Sequence, residues 1–421
     1  MSAAPLRYLI GLASFQMLAM FRRGLFYAFL SIYLRHRLGL SVTETTLFAT
    51  LPMVVNVLAQ TLVWGRISDR LQLRRTLIII GEMIGAGGTV LTWYIHRRFA
   101  DPIAAGYAII AGLTAIEIFW SMSNISWSAL VSDLYDAKQR SRIQGWLASM
   151  GGVGRIVGVW IGGLLYDGLG HYPPGWGFSQ GALFFVAAGA MFVSILPMAF
   201  TPEGGLTEHE RLPASPESDG GSNGRFFALF LSSMVLINFG RNSIAIIVTQ
   251  YLVLDSGFAL NSRMVSHVVN TQSVAMILTG LAAGRLSRWI GDGNTLLVGT
   301  IVSCIALALL ALTDSLALIF GASFLRGFGD VTLMASSYGL ASVMIPPEKR
   351  ARWFSWFNAT FFLSWGLAGT MIAGPVADSM MAAGHSQEAA YRGSFASALV
   401  MTVAGLMLMW VTLRKKLKAE S

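Results

Sequence analysis

Charge is scarce in this chain of 421 residues. Asp, Glu, Lys and Arg make up 12% of it and hydrophobic residues 54%, against roughly 25% charged in soluble domains. A water-solvated globular or disordered chain is therefore excluded. Cysteine is nearly absent, and with Cys304 alone no disulfide can form within the chain. The sequence has no paired-histidine motif, cysteine cluster or phosphate-binding glycine loop, so no metal or other cofactor is expected. It also has no recognisable nucleophile and base set for a membrane enzyme. The N-terminus lacks a charged region followed by a small-residue cleavage site, so the first apolar stretch is expected to be retained as a span.

What remains is apolar length. Runs of about 20 apolar residues fall near 8–34, 42–64, 76–96, 103–131, 143–166, 179–200, 226–252, 263–283, 295–312, 316–345, 353–377 and 394–413. These predict an all-α membrane protein with twelve transmembrane helices, lipid being its solvent. Of the 30 basic residues, five lie inside spans (Arg22, Arg23, Arg155, Arg241, Arg326). Six fall on one side (Arg35, Arg37, Arg97, Arg98, Arg263, Arg392) and the other nineteen on the side of both termini. The positive-inside rule makes that second side the cytoplasm. The basic excess is thus a topology signal, and nucleic acid is not an expected partner, since the basic loops are short and carry no recognised module.

The chain is also duplicated. Residues 8–34 and 226–252 match at a constant offset, pairing Phe21 with Phe239, Arg23 with Arg241, Tyr33 with Tyr251 and Leu34 with Leu252. Gly65-Arg66-Ile67-Ser68 recurs as Gly284-Arg285-Leu286-Ser287, and Gly163 with Asp167 recurs as Gly374 with Asp378. Between the copies the composition shifts to Pro202, Gly204, Gly205, Pro213, Pro216 and Asp219-Gly220-Gly221-Ser222, a linker signature. The expected plan is a six-helix bundle over 1–200, a cytoplasmic linker over 201–224 and a second, pseudo-symmetric bundle over 225–421, as in two-bundle secondary transporters.

Arginine at the centre of a spanning helix costs roughly 2.5 to 3.5 kcal/mol on insertion scales, so it is retained for function and held by a partner or an aqueous cavity. Arg23 and Arg241, expected to be buried, head the candidates for substrate binding. Helical spacing puts Gln16, Met20, Arg23 and Tyr27 on one face and turns Arg22 about 100° away. Thr114, Glu117, Ser121, Asn124 and Ser128 form a polar stripe, Asn238 stands beside Arg241, and Ser323, Arg326, Asp330 and Ser337 align. Arg155 interrupts a glycine-lined face. The substrate-binding set is then Arg23, Arg241, Gln16, Tyr27, Asn124, Asn238 and Arg155, with Glu117, Asp330 and Arg326 for proton coupling. Mutual neutralisation is the plainer alternative, with Arg326 against Asp330 and Glu117 against a neighbouring arginine. It leaves an excess, because Glu82, Glu117 and Asp330 do not cancel five deep arginines, and a positive cavity attracts anions. Trp120 and the other tryptophans are read mainly as interfacial or lipid-facing anchors.

Gly65-Arg66-Ile67-Ser68-Asp69-Arg70, followed by Arg74 and Arg75, resembles the loop motif between the second and third helices of the major facilitator superfamily. The resemblance extends over the whole chain through helix count, repeat and linker. It implies a gating latch at Gly65, Arg66, Asp69 and Arg70, with Gly65 permitting a tight turn and Asp69 stabilising one access state. Gly145, Gly154, Gly158, Gly162 and Gly163 are spaced as in the family's antiporter motif, but Val159 stands where that motif has proline, and close packing is the safer reading. The resemblance implies a secondary transporter of a bacterial inner membrane that moves a small solute by rocking two bundles. Symmetric arginines point to an organic anion, moved with or against protons. A multidrug or cationic-compound exporter is the alternative within that class, and a non-transporting scaffold or sensor the alternative outside it.

Tags on the linker and at both termini are expected to be reachable only from the cytoplasm. External labelling near Asp219 in intact cells is the outcome that overturns the twelve-helix topology.

Overall fold

The computed structural model describes residues 6–135, 137–167, 177–204, 224–345 and 350–420. In hydrocarbon each backbone N–H and C=O must find its partner inside the chain, which favours uninterrupted helices. Among the described residues there is no strand. Helix α1 (Leu6–Ile32) continues into a π-helical turn (Tyr33–Arg37). Helix α2 (Val42–Ala59), a π turn (Gln60–Trp64) and α3 (Gly65–Leu71) make the second span, followed by α4 (Arg74–His96), α5 (Pro102–Leu134), α6 (Ala137–Tyr166) and α7 (Ala182–Ala199). The second half runs through α8 (Gly224–Ser243) with α9 (Ile247–Leu252), α10 (Ser262–Ile290), α11 (Asp292–Leu312) and α12 (Leu316–Met344). It ends with α13 (Arg350–Ala368), a π turn (Gly369–Ala373), α14 (Gly374–Ala382) and α15 (Gln387–Glu420). Eleven of these spans are long and apolar enough to cross a membrane. The twelfth, α10, has 29 residues and is diluted by Arg263, His267, Gln272, Arg285 and Arg288.

By their contacts the residues form two compact units. Met1–Leu40, Leu47–Leu212 and Asn261–Ser266 belong to the first, and Ser41–Thr46, Pro213–Leu260 and His267–Ser421 to the second. The two short excursions are held by the repeated aspartates. In the second unit Asp378 accepts from the backbone N–H of Val42 (2.9 Å) and Thr43 (2.8 Å), and in the first Asp167 accepts from the Ser262 hydroxyl at 2.7 Å. Each carboxylate sits at the first turn of a helix, where backbone N–H groups lack partners within the helix.

Glycines set the closest contact of the first unit. A methyl group at Gly154 or Gly158 of α6 would overlap the Met17 or Phe21 carbonyl of α1, and one at Gly162 would lie 2.8 Å from the Leu25 carbonyl. The four-residue spacing on both helices is the packing device expected from sequence. The duplication also persists in packing. Tyr33 packs against Phe178 and edge-on to His96, with its hydroxyl 3.4 Å from His96 Nε2. Its copy Tyr251 packs against Phe258, Tyr391 and Phe395.

The segment joining α3 to α4 departs from expectation in one respect. Gly65 makes no tight turn: it is helical and closes the π turn, its N–H reaching the Gln60 carbonyl, 2.8 Å from where a Cβ would stand. The reversal falls instead at Gln72, whose φ of 56° is left-handed. Arg74, buried, pairs with Asp133 of α5 at 3.4 Å and donates to the Ser68 hydroxyl. Arg75 pairs with Glu203 at 3.1 Å, while that carboxylate also accepts from the Thr76 N–H (2.9 Å) and hydroxyl (3.1 Å).

Two consequences are measurable as melting temperatures of detergent-purified protein. Gly158→Ala is expected to destabilise by about 1–3 kcal/mol through overpacking, whereas Gly87→Ala, where a Cβ meets nothing within 4 Å, is neutral or slightly stabilising. Asp133→Asn is expected to cost about 1.5–3 kcal/mol by weakening the charge-assisted pairing of the buried Arg74 guanidinium. An unchanged melting temperature would assign Arg74 a peripheral role.

Candidate functional site

Each unit carries a polar centre of its own. In the second unit, α8 turns Asn238 and Arg241, three residues apart, to the same side. The Arg241 guanidinium Nη1 meets the Asp330 carboxylate of α12, and its Nε donates to Asn238 Oδ1 at 3.1 Å. Gln272 of α10 donates to the other Asp330 oxygen at 2.8 Å, and Asn238 Nδ2 reaches Thr360 Oγ1 at 3.2 Å. Three helices (α8, α10, α12) thus converge on one carboxylate and one guanidinium, with α13 in contact with Asn238. In the neutralisation alternative Asp330 is paired with Arg326; the structure places Arg241 on the Asp330 carboxylate. Arg326 is half-buried on the same helix.

Of the neighbouring arginines Arg22 and Arg23 in the first unit, Arg22 is the more buried. Arg23, expected to be buried, is exposed, its guanidinium carbon 5.2 Å from the centre of the Trp120 ring. That of Arg22 stands 3.5 Å over the same ring, and Arg22 Nη1 donates to the Met191 thioether at 3.1 Å. Trp120 is 5% exposed, so here it is no lipid anchor. Its indole N–H donates to Glu82 at 2.7 Å, where the Ser123 hydroxyl joins it at 2.8 Å. Glu82, itself buried, thereby orients the ring on which Arg22 lies.

Glu117 is 7% exposed and accepts a hydrogen bond from Asn56 Nδ2, whose side-chain oxygen accepts from Gln60 at 2.8 Å. Gln60 opens the π turn of the second span, a kind of irregularity frequent at functional sites. A small cavity of about 40 Å³ lies between Arg22, Phe26, Tyr27, Thr89, Glu117 and Trp120. Tyr27 therefore faces the same space as Glu117. Gln16, Asn124 and Arg155 are half-buried on α1, α5 and α6. Arg66 and Arg70 are exposed, and the Asp69 side chain lies outside the described residues.

Arg22, Asn56, Gln60, Trp120, Gln272 and Thr360 escape a reading of polar stripes. Asn56 and Gln60 carry the one usable signal, two amides four residues apart in an apolar run. His267 is exposed on α10.

Comparison with known proteins agrees with this architecture. The profile of the Major Facilitator Superfamily matches twice, over residues 12–230 and 225–421. The class B tetracycline resistance protein of Escherichia coli is 25% identical over 278 residues, covering 64% of each chain. The chain thus spans under two thirds of that relative's length, and 58% of the class H protein of Pasteurella multocida. The multidrug resistance protein MdtG of Yersinia enterocolitica is 24% identical over 366 residues, 85% of this chain and 80% of that one. Among solved structures, a bacterial homologue of the human lysosomal transporter Spinster superposes with a TM-score of 0.74 at 16% identity over 99% of both chains. A variant of the nucleoside transporter NupG gives 0.73 at 13% identity, over 96% of this chain and 99% of that one. With its profile matched in both halves of a multi-span chain that is helical among the described residues, the protein belongs to the Major Facilitator Superfamily.

Proposed function

We propose that the protein moves a small organic anion across the bacterial inner membrane, coupled to protons, by alternating access, with both termini cytoplasmic. The observation that carries this reading is the Asp330 carboxylate seated on Arg241. A guanidinium that already binds one carboxylate has the fork geometry to bind another. Protonation of Asp330 removes its charge, weakens the pair and frees Arg241 for a substrate carboxylate; deprotonation reverses the exchange. Gln272 and Asn238 hold the two partners in position throughout. Glu117, on its Asn56 and Gln60 support, is the second proton carrier in this scheme. Arg23, Gln16, Tyr27, Asn124 and Arg155 contribute the first unit's part of the substrate path and Arg326 tunes Asp330. Gly65, Arg66, Asp69 and Arg70 act in gating.

A second reading is an exporter of drug-like or cationic compounds. It is favoured by the sequence similarity to the tetracycline and multidrug resistance proteins and by acidic groups in both units.

Reconstituted protein separates the two. Under an imposed pH gradient, uptake of radiolabelled monocarboxylates is expected in preference to organic cations. Arg241→Lys is expected to weaken apparent affinity about tenfold, some 1.4 kcal/mol, because lysine offers a point charge where arginine offers a fork. Asp330→Asn is expected to keep anion exchange and lose its response to the gradient. Cation transport that survives Arg241→Lys unchanged, with no anion transport, would replace the first reading by the second.

A further inference from the structure

π turns are rare and concentrate at functional sites, and the one at Gln60–Trp64 is supported along its whole length. The Thr61 hydroxyl donates to the carbonyls of Val57 (2.8 Å) and Leu58 (3.3 Å) in the turn just before it. Gly65 closes it without a Cβ to press on the Gln60 carbonyl. Both ends are fastened to consecutive residues of α5. At the first, Gln60 donates to Asn56 and Asn56 to the Glu117 carboxylate. At the last, the Trp64 indole N–H donates to the Ile118 carbonyl, which the Ser121 hydroxyl also meets at 2.7 Å. One fastening depends on charge and the other does not. An ionised carboxylate accepts more strongly than a neutral acid, and hydrogen bonds in a chain polarise one another, so the charge on Glu117 sets the strength of the whole amide chain.

From this arrangement we infer that the π turn is a register switch set by the proton on Glu117, with Asn56 and Gln60 as its relay and Trp64 as its pin. With Glu117 ionised, the amide chain holds the turn wide, as in the structure. With Glu117 protonated, the chain slackens, the turn relaxes to α-helix and Trp64 leaves Ile118. The residues that follow then rotate by about one residue step, roughly 100°, and move about 1.5 Å along the axis. Those residues are Gly65–Leu71, the helix α3 that carries the motif expected to act in gating. The titratable and charged groups facing Glu117 are Arg22, Arg23 and Tyr27 of α1 and Glu82 of α4, while α2 meets it through the neutral Asn56 amide. A change in its charge therefore reaches α3 through Asn56 and Gln60. The inference rests on Glu117 as a proton carrier, and all its parts lie within the first unit.

The test uses full-length, reconstituted protein carrying Cys304→Ser, with spin labels at Leu71→Cys on α3 and Leu196→Cys on α7. Both positions are exposed and belong to the first unit, so rigid rocking of that bundle leaves their separation unchanged. A side chain about 5 Å from its helix axis moves by about 8 Å when turned 100°. The distance read by pulsed electron spin resonance is expected to shift by several ångströms between alkaline and acidic buffer. Glu117→Gln should hold the acidic distance in both buffers, as should Gly65→Ala, which crowds the π turn. Deletion of Thr61 leaves a plain helix with α3 in its present register and should hold the alkaline distance in both. Trp64→Phe loses the pin and should move the midpoint to higher pH. These variants act in opposite directions, so the proposal stays open to refutation if one of them does not fold. A distance that ignores pH overturns the switch; if Glu117→Gln nevertheless abolishes gradient-driven transport, Glu117 remains a proton carrier without it. A pH-dependent distance that survives Glu117→Gln assigns the movement to another group and overturns the switch as well. If gradient-driven transport is also unchanged in that variant, both readings of Glu117 fall.

Discussion

A charge removed from water is tolerated only where the protein supplies what water supplied, and the interior of this molecule is organised around that constraint. Arg241 is answered in full, by Asp330 and the Asn238 amide. Arg74 is answered by Asp133 and Ser68. Arg22 lies against an aromatic face and a sulfur.

Such discrimination requires that the helices do not slide. Against α1, the glycines of α6 bring two backbones so close that side chains on α1 have little freedom to rotate away, and this fixes which of the neighbouring arginines is the more buried. The π turn at Gln60–Trp64 acts on a finer scale. By adding a residue to one turn it shifts the register of α3 relative to α2, and Gln60, its first residue, supports Asn56 and through it Glu117. Gly65 belongs to this device: it closes the π turn, where a side chain would press on the Gln60 carbonyl.

The two halves illustrate how a duplicated element diverges while its frame persists. Tyr33 and Tyr251 still anchor aromatic clusters at matching positions. Arg23 and Arg241 do not share a fate: one is exposed beside Trp120, the other is locked to a carboxylate. The first half has a second arginine one residue earlier, and rotation by one residue on a helix is about 100°, enough to exchange an interior for an exterior position.

Composition and periodicity by themselves determined the membrane environment and the helical class, because each rests on summed hydrophobicity or on local spacing, and the motif from Gly65 to Arg70 carried the resemblance to the family. They also marked Glu117, Asp330 and Arg241, since a charge in an apolar run is conspicuous whatever surrounds it. Partners were another matter. That Asp330 meets Arg241, that Glu82 steers Trp120, and that Asn56 and Gln272 complete the two centres are facts about side chains from different helices. Polarity patterns along a single helix carry no information about the azimuth and depth at which its neighbours pack. Only the tertiary structure decided that Arg22 rather than Arg23 is the more buried, because that choice rests on where the backbone contact between α1 and α6 stops the rotation of α1.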